Sequence, residues 1–316
     1  MLRARFIVSI VLVDIVSNVV CAQAYPSKPI RILTYEAGGG ADFAARLIAQ
    51  KITPPLGQPV VVENRVPIIA TDDVMKAPPD GYTILLAGAT LWTMPLLKNT
   101  FYNPLEDFLP ITSLIVQPNI LVVHPSLPVE SVKDLIALAK TRPGVLNYAA
   151  TQIGGPNHLA AELFNSMAGV HIVRINYKGT AQAINDVIGG QVDLMFANIG
   201  TATPFVKSGR LRALAVTSTQ PSALAPGLPT VAASGLPGYE AGNINALFAP
   251  LKTPGPIIKR LNEEVVRVLK MSEVKQTLFN IGVETLGDSP DELGVMVKAE
   301  IVRLEKVIKD ADIHVE

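Results

Sequence analysis

The chain has 316 residues, 49% of them hydrophobic, and its 27 basic residues are balanced by 27 acidic ones. Without a basic excess, a surface for nucleic acid or anionic lipid is not expected, so the predicted partner is a small molecule. At roughly 290 residues after loss of a leader, the chain is long enough for two domains of about 130 to 150 residues each.

The first 24 residues have the layout of a secretory signal peptide. Two arginines precede an apolar run over 6–20, and Ala22 and Ala24 form a small-residue cleavage site. An uncleaved anchor is the competing interpretation, but an apolar run of about 15 residues is short for the roughly 20 that span a bilayer. Cleavage after Ala24 predicts an exported protein, and loss of Cys21 leaves it without thiol chemistry.

Apolar strands alternate with helical segments along most of the remaining chain. Strands are predicted at 30–34, 59–63, 82–87, 119–123, 147–150, 172–175, 192–196, 211–216 and 245–249. Helices are predicted at 42–52, 131–140, 157–167, 181–188, 256–270, 272–281 and 290–310. This alternation is typical of a parallel, doubly wound α/β fold, here with two sheets rather than one.

Three consecutive glycines, Gly38, Gly39 and Gly40, separate the first predicted strand from the first helix. A turn of this kind presents the N–H groups of a helix N-terminus to an anion. The dinucleotide and P-loop fingerprints are both incomplete, because no further glycine stands at 41–44 and no Gly-Lys-Ser/Thr follows. The loop therefore either holds a small anion or makes only a tight turn.

Sequence motifs for catalysis are missing. The chain has no G-x-S-x-G and no H-E-x-x-H, and the four histidines lack metal-ligand spacing: His124, His158, His171 and His314. We therefore expect neither an enzyme nor a cofactor or metal, although a catalytic triad can also assemble from distant residues. His158 stands at a predicted helix start beside Asn157, where it either lines a pocket or packs and caps the helix.

Several longer motifs occur in a fixed order. They are "YPSKPIRIL", "GGGADFAARLIAQKI", "LGQPVVVENR", "PPDGYTILLAG", "LVVHPSLPVESVKDLIALAKTRPGVLNYAA", "HLAAELFNSMAGV", "YKGTAQAINDVIGGQVDLMF", "GRLRALAVTS" and "LPTVAASGLPGYEA". Together they resemble the Bug-type extracytoplasmic solute receptors of the tripartite tricarboxylate transporter family over nearly all of the mature chain.

The resemblance implies a periplasmic-binding-protein-like fold, with two doubly wound α/β domains joined by crossing strands and a ligand cleft between them. Residues 1–24 would be the signal peptide, 25–120 with 250–316 the first domain, and 121–249 the second. The implied protein is a monomer in the periplasm that closes over a small carboxylate and delivers it to membrane permease subunits. A sensor subunit for a membrane kinase and an exported enzyme are the alternatives.

The resemblance also implies which residues line the cleft. The first loop supplies Ala37, Gly38, Gly39, Gly40 and Asp42. The second loop supplies Thr151, Gln152, Ile153, Gly154 and Asn157, ahead of His158. Further candidates are Thr90, Tyr177 and Asn198. For Asp42 a helix-capping role is the alternative, and for Tyr177 a packing role.

Three departures from the family pattern concern selectivity. Residues 66–73 lack the usual glycines, so one wall of the cleft is expected to differ. Ala197 stands where the family often has Asp, which removes an acceptor for a ligand amino group. Glu36 replaces an uncharged residue and is the selectivity candidate, because a carboxylate about 5 Å from a bound anion repels it. Its alternative is a solvent-facing side chain.

Overall fold

The computed structural model of the protein describes residues 25–35, 37–151, 153–310 and 313. The predicted signal peptide with Cys21, the selectivity candidate Glu36, the loop residue Gln152 and His314 lie outside the described residues. Cleavage after Ala24 and the role of Glu36 therefore stay predictions.

The described elements alternate between strands and helices. The chain begins with β1 (Ile30–Thr34), α1 (Gly40–Leu56), β2 (Val60–Asn64), α2 (Pro67–Met75), β3 (Thr83–Gly88) and α3 (Thr90–Leu97). It continues with β4 (Phe108–Val123), α4 (Val132–Thr141), β5 (Asn147–Ala150), α5 (Pro156–Ala168), β6 (Val173–Asn176), α6 (Thr180–Ile188), β7 (Leu194–Asn198), α7 (Ile199–Lys207) and β8 (Arg212–Val216). It ends with β9 (Gly242–Pro250), α8 (Gly255–Leu269), α9 (Ser272–Asn280), β10 (Glu284–Thr285) and α10 (Pro290–Asp310).

The strands form two halves that share β4. In the first half β1 pairs in parallel with β2 and β3, and β9 runs antiparallel between β3 and β4. In the second half β5 pairs in parallel with β6 and β7, while β7 and β8 run antiparallel to the end of β4. The sequence predicts two sheets, and the structure has two halves of one continuous sheet because β4 belongs to both.

The long strand β4 crosses from one half to the other. Its residues 108–118 pair with β9, and 119–123 pair with β7. The sequence pattern predicts only 119–123 as a strand. The earlier part contains Pro110 and Pro118, and a register shift follows Pro110. Because proline has no N–H and is tolerated mainly at bulges and edges, it hides a strand from pattern recognition.

Each half buries apolar side chains on both faces of its sheet. A smaller apolar cluster joins the halves, with Leu97 of α3, Leu159 of α5, and Leu304 and Ile308 of α10. The fold is thus an α/β fold of two doubly wound parts. The proposed domain boundaries near 120 and 250 stay predictions. None of the described helices is long and apolar enough to cross a membrane.

Candidate functional site

A cleft of about 710 Å³ opens where β1 and β3 end and where the crossing strands β4 and β9 pass between the halves. Gly39 and Gly40 at the start of α1 and Thr90 at the start of α3 line it from the first half. Pro156, the first residue of α5, lines it from the second half. The cleft therefore lies at the carboxyl ends of strands, where open α/β sheets bind ligands.

Four helix N-termini meet at this cleft, those of α1, α2, α3 and α5. The first N–H groups of a helix have no intrahelical partner, and the aligned peptide dipoles give this end a partial positive charge. An anion in the cleft would be stabilised by these groups, and a cation would not.

The first glycine loop, residues 37–40, is held in shape by Asp42. Gly38 has a positive φ of 81°, and its N–H donates to Asp42 Oδ2 at 3.0 Å. The buried carboxylate also accepts from Asn64 Nδ2 at 2.9 Å and pairs with Arg46 at 3.0 Å. Burial opposes its ionisation, but the hydrogen bonds from Arg46, Gly38 and Asn64 together keep the Asp42 pKa below its usual range.

The second glycine loop, residues 153–156, is held by His158. Gly154 has a positive φ of 71°, and its N–H donates to His158 Nδ1 at 2.9 Å. The ring is buried and stacks on Tyr148. Burial, and then the charge of Arg174, lower the His158 pKa to about 4. The imidazole is neutral at physiological pH, and since Nδ1 accepts, its proton is on Nε2, which is 3.9 Å from Glu162.

Three residues that the sequence predicts for the site line the cleft: Gly39, Gly40 and Thr90. Ala37 and Gly38 are exposed in the first glycine loop beside it. Thr151, Ile153 and Asn157 are partly exposed around the second loop, and Gly154 is buried. Gly154 lines a separate cavity of about 20 Å³ together with Thr90 and Pro156. Asp42 and His158 face the protein and position the loops.

Two further candidates lie outside the cleft lining. The Tyr177 hydroxyl donates to Asp186 at 2.8 Å while the ring packs in the core, and burial followed by this carboxylate raises its pKa to about 12. Asn198 is the N-cap of α7, and its Oδ1 accepts the Gly200 N–H at 2.9 Å. Both side chains already have protein partners. The neighbouring Ala197 is buried.

The sequence did not predict a cluster of side-chain amides in the cleft. It consists of Gln117 on β4 and of Asn243 and Asn245 on β9, and we call it the amide floor. Gln117 and Asn243 are opposite each other in the β4–β9 pairing, and their amides are 3.5 Å apart. Asn245 is only 5% exposed, and its Nδ2 has no hydrogen-bond partner among the described residues. Asparagine at alternate positions of an apolar strand, 243 and 245, was the available signal.

One wall of the cleft is apolar. We define the apolar wall as Val66, Ile68 and Phe101, which line the cleft and remain 61%, 57% and 46% exposed.

Residues 66–73 were predicted to alter one wall of the cleft. Val66 and Ile68 of this stretch do line the cleft, and the stretch forms the N-cap and the first turns of α2. The sequence pattern does not predict this helix, nor α3, in which Leu91, Trp92 and Thr93 are consecutive buried residues without helical periodicity.

Formal charge in the cleft is low. Lys98 is the one charged side chain among the described residues that line it. Across the ranges that the structure describes, no group of three or more His, Cys, Asp or Glu side chains could hold a metal ion.

Comparison with known proteins gives consistent results. The family model described as "Tripartite tricarboxylate transporter family receptor" matches residues 44–313. Protein BugT of Bordetella pertussis is 35% identical, with 92% of this chain and 91% of that protein covered. The structure of Rpa4515 of R. palustris with adipate is 37% identical with a TM-score of 0.75, covering 92% of this chain and 99% of that one. MatC of Rhodopseudomonas palustris with bound malate is 28% identical with a TM-score of 0.70, covering 90% and 100%.

Proposed function

Because the chain belongs to the tripartite tricarboxylate transporter family of receptors, we propose that it is a periplasmic receptor that captures a small carboxylate and delivers it to membrane permease subunits. The proposed ligand site is the cleft between the two glycine loops. The protein binds its ligand without converting it, and it acts as a monomer.

The observation that carries this proposal is the meeting of four helix N-termini at one cleft of low formal charge. Each such terminus stabilises an anion by roughly 0.3 to 2 kcal/mol. Several together, with water excluded, support binding of a carboxylate without an arginine clamp. Two related structures, one with adipate and one with malate, support the same class of ligand for this chain.

The position of Pro156 supports closure over the ligand. This residue begins α5 in the second half, yet it lines the same cleft as Gly39 and Gly40 of the first half. A ligand that touches both halves stabilises their closed arrangement, since hinge motion brings the two sets of contacts together. A closed shape would let a permease distinguish loaded from empty receptor.

Gly39→Val tests the site. Gly39 is the N-cap of α1 with φ −83°, and a β-carbon added there would have no atom within 4 Å, so the fold should tolerate the side chain at a cost of about 1 kcal/mol. The matched control is Gly179→Val, at the N-cap of α6, which also has open space and lies outside the cleft lining.

The measurement is calorimetry of both variants against mono-, di- and tricarboxylates, after a thermal-shift screen of the parent. We expect Gly39→Val to weaken binding at least tenfold and Gly179→Val to leave it unchanged. Equal affinities for the parent and Gly39→Val would remove the first loop from the site. Recovery of the acid as a changed product would establish an enzyme instead of a receptor.

A further inference from the structure

The amide floor and the apolar wall line one cleft, and we infer that they form a subsite for the body of the bound acid. The subsite takes an apolar aliphatic or aromatic portion with one acceptor oxygen distant from the first carboxylate. The inference rests on the proposed function, because it assumes that the glycine loops hold that carboxylate.

Asn245 provides the first observation. Its side chain is buried, yet Nδ2 has no partner among the described residues. Folded proteins keep few buried donors of this kind, because an unpaired donor is destabilising. Since Asn245 lines the cleft, an oxygen of the ligand can accept this N–H.

Two glycines keep the amide floor in place. A β-carbon on Gly88 would lie 3.0 Å from Oδ1 of both Asn243 and Asn245, and one on Gly40 would lie 2.6 Å from Gln117 Nε2. Because glycine has no side chain, the amides of Asn243 and Asn245 can pack against the end of β3 at Gly88, and the amide of Gln117 can pack against the first glycine loop at Gly40. The floor therefore directly adjoins the place proposed for the carboxylate.

The apolar wall provides the second observation. Val66, Ile68 and Phe101 keep large exposed areas inside a cleft rather than scattered over the surface. Apolar surface of this kind is stabilised when an apolar ligand covers it. Lys98, the one charged side chain among the described lining residues, and the partial positive charge of the helix N-termini compensate one or two carboxylates better than three, so a mono- or dicarboxylate is favoured over a tricarboxylate.

The first test is Asn245→Leu, measured with adipate and with hexanoate, which lacks the second carboxylate. We expect the adipate Kd to rise about tenfold or more and the hexanoate Kd to change less than twofold. The melting temperature should stay level or rise, because the substitution removes an unpaired buried donor. Unchanged adipate affinity, or equal losses for both acids, would overturn the role of Asn245.

The second test compares Ile68→Ser with Ile69→Ser. Ile69 is a neighbour on α2 with 46% exposure, but it does not line the cleft. For the parent, adipate should bind at least tenfold more tightly than succinate, at roughly fourfold per buried methylene. Ile68→Ser should reduce this ratio to about threefold, and Ile69→Ser should preserve it. The same ratio in all three proteins would overturn the role of the wall.

Binding to the unsubstituted protein distinguishes a failure of the proposed receptor function from a failure of the proposed subsite. If no acid in the screen of mono-, di- and tricarboxylates raises its melting temperature or gives heat of binding, the proposed carboxylate receptor is wrong. If the acids bind the parent but Asn245→Leu and Ile68→Ser behave like it, the subsite is wrong and the receptor function stands.

Discussion

The two glycine loops share one backbone design but use different side chains to hold it. In each loop a glycine with positive φ is followed directly by the glycine that caps the helix. The N–H of the positive-φ glycine donates to the side chain of the third helical residue, which is four positions further along the chain. Asp42 accepts from Gly38 in the first loop, and His158 accepts from Gly154 in the second. The conformation of each loop therefore depends on a hydrogen-bond acceptor at this position, whether that acceptor is a charged carboxylate or a neutral imidazole.

The difference lies in how charge is compensated. Asp42 is an ionised carboxylate whose charge Arg46 neutralises, and it stands at a helix N-terminus, where an anion is favoured. His158 is a neutral ring close to Glu162. Neither loop presents an uncompensated charge from its acceptor, so the backbone N–H groups remain the main attraction for an anion.

The largest expected effect comes from removing the first acceptor. Asp42→Leu leaves the Gly38 N–H, Asn64 and Arg46 without their shared partner. We expect the free energy of unfolding to fall by about 4 kcal/mol, at roughly 2 kcal/mol for each of the hydrogen bonds that Gly38 and Asn64 donate to a charged acceptor, whereas the half-exposed Arg46 stays solvated. Asp42→Asn keeps an acceptor oxygen and should cost about 1 kcal/mol. Denaturant unfolding of both variants measures the difference, and equal losses would show that charge, not acceptance, defines the loop.

Acid should weaken the second loop before the first. The His158 pKa is about 4 in the folded protein against 6.5 for a free histidine, so between these values the unfolded chain binds a proton that the folded chain does not. The contribution is fully present above pH 6.5 and is lost as the pH falls towards 4, for a total of about 3 kcal/mol. The charged and titratable neighbours are Tyr148, Glu162 and Arg174.

His158→Gln is the control for this pH dependence, since its amide oxygen can accept the Gly154 N–H without titrating. Unfolding free energy measured from pH 7 to pH 4 should fall less steeply in the variant than in the parent. Parallel curves would mean that His158 does not titrate as described. Glu63, whose pKa its bonds to Arg31 lower to about 2, contributes stability that is present above its ordinary pKa of 4.5 and is lost as the pH falls towards 2, which is mostly below the range of this experiment.

A smaller difference in stability is expected between substitutions at Gly38 and Gly154, the positive-φ glycines of the two loops. Gly38→Ala and Gly154→Ala both place a side chain in the left-handed region, at about 1 to 2 kcal/mol each. A β-carbon on Gly38 meets open space, whereas one on Gly154 would lie 2.1 Å from Leu97 Cδ1 of α3. We expect Gly154→Ala to be less stable by a further ~1 to 3 kcal/mol. Thermal unfolding of the pair measures this, and the double variant Gly154→Ala with Leu97→Ala should lose less stability than the sum of the two single losses, because removing Leu97 relieves the contact.

The sequence predicts regular elements well where one pattern dominates. The strand Ile30–Thr34 and the helix Pro290–Asp310 have the predicted bounds, because an uninterrupted apolar run and a long amphipathic segment identify them. The first part of β4 escapes prediction because of its prolines, and the two-residue strand β10 is too short to leave a pattern. Tertiary pairing, which a local pattern does not contain, decides such elements.

The lining of the candidate site was predictable only in part. Gly39, Gly40 and Thr90 follow strand ends, so their place in the cleft follows from α/β topology. The amide floor depends on the register between β4 and β9, where Gln117 and Asn243 pair although they are 126 residues apart in the chain. The inward turn of Tyr177 depends on a hydrogen bond to Asp186 that spacing does not reveal.

The central claim is that one carboxylate contacts both glycine loops. Titration of ¹⁵N-labelled protein with adipate, followed by amide NMR, tests it directly, because glycine amides occupy a separate region of the spectrum. We predict that the amide signals of Gly39 and Gly40 and those of Gly155 and Asn157 shift together, with one Kd. Shifts confined to one loop, or binding by calorimetry without shifts in either, would contradict a carboxylate held between the two loops.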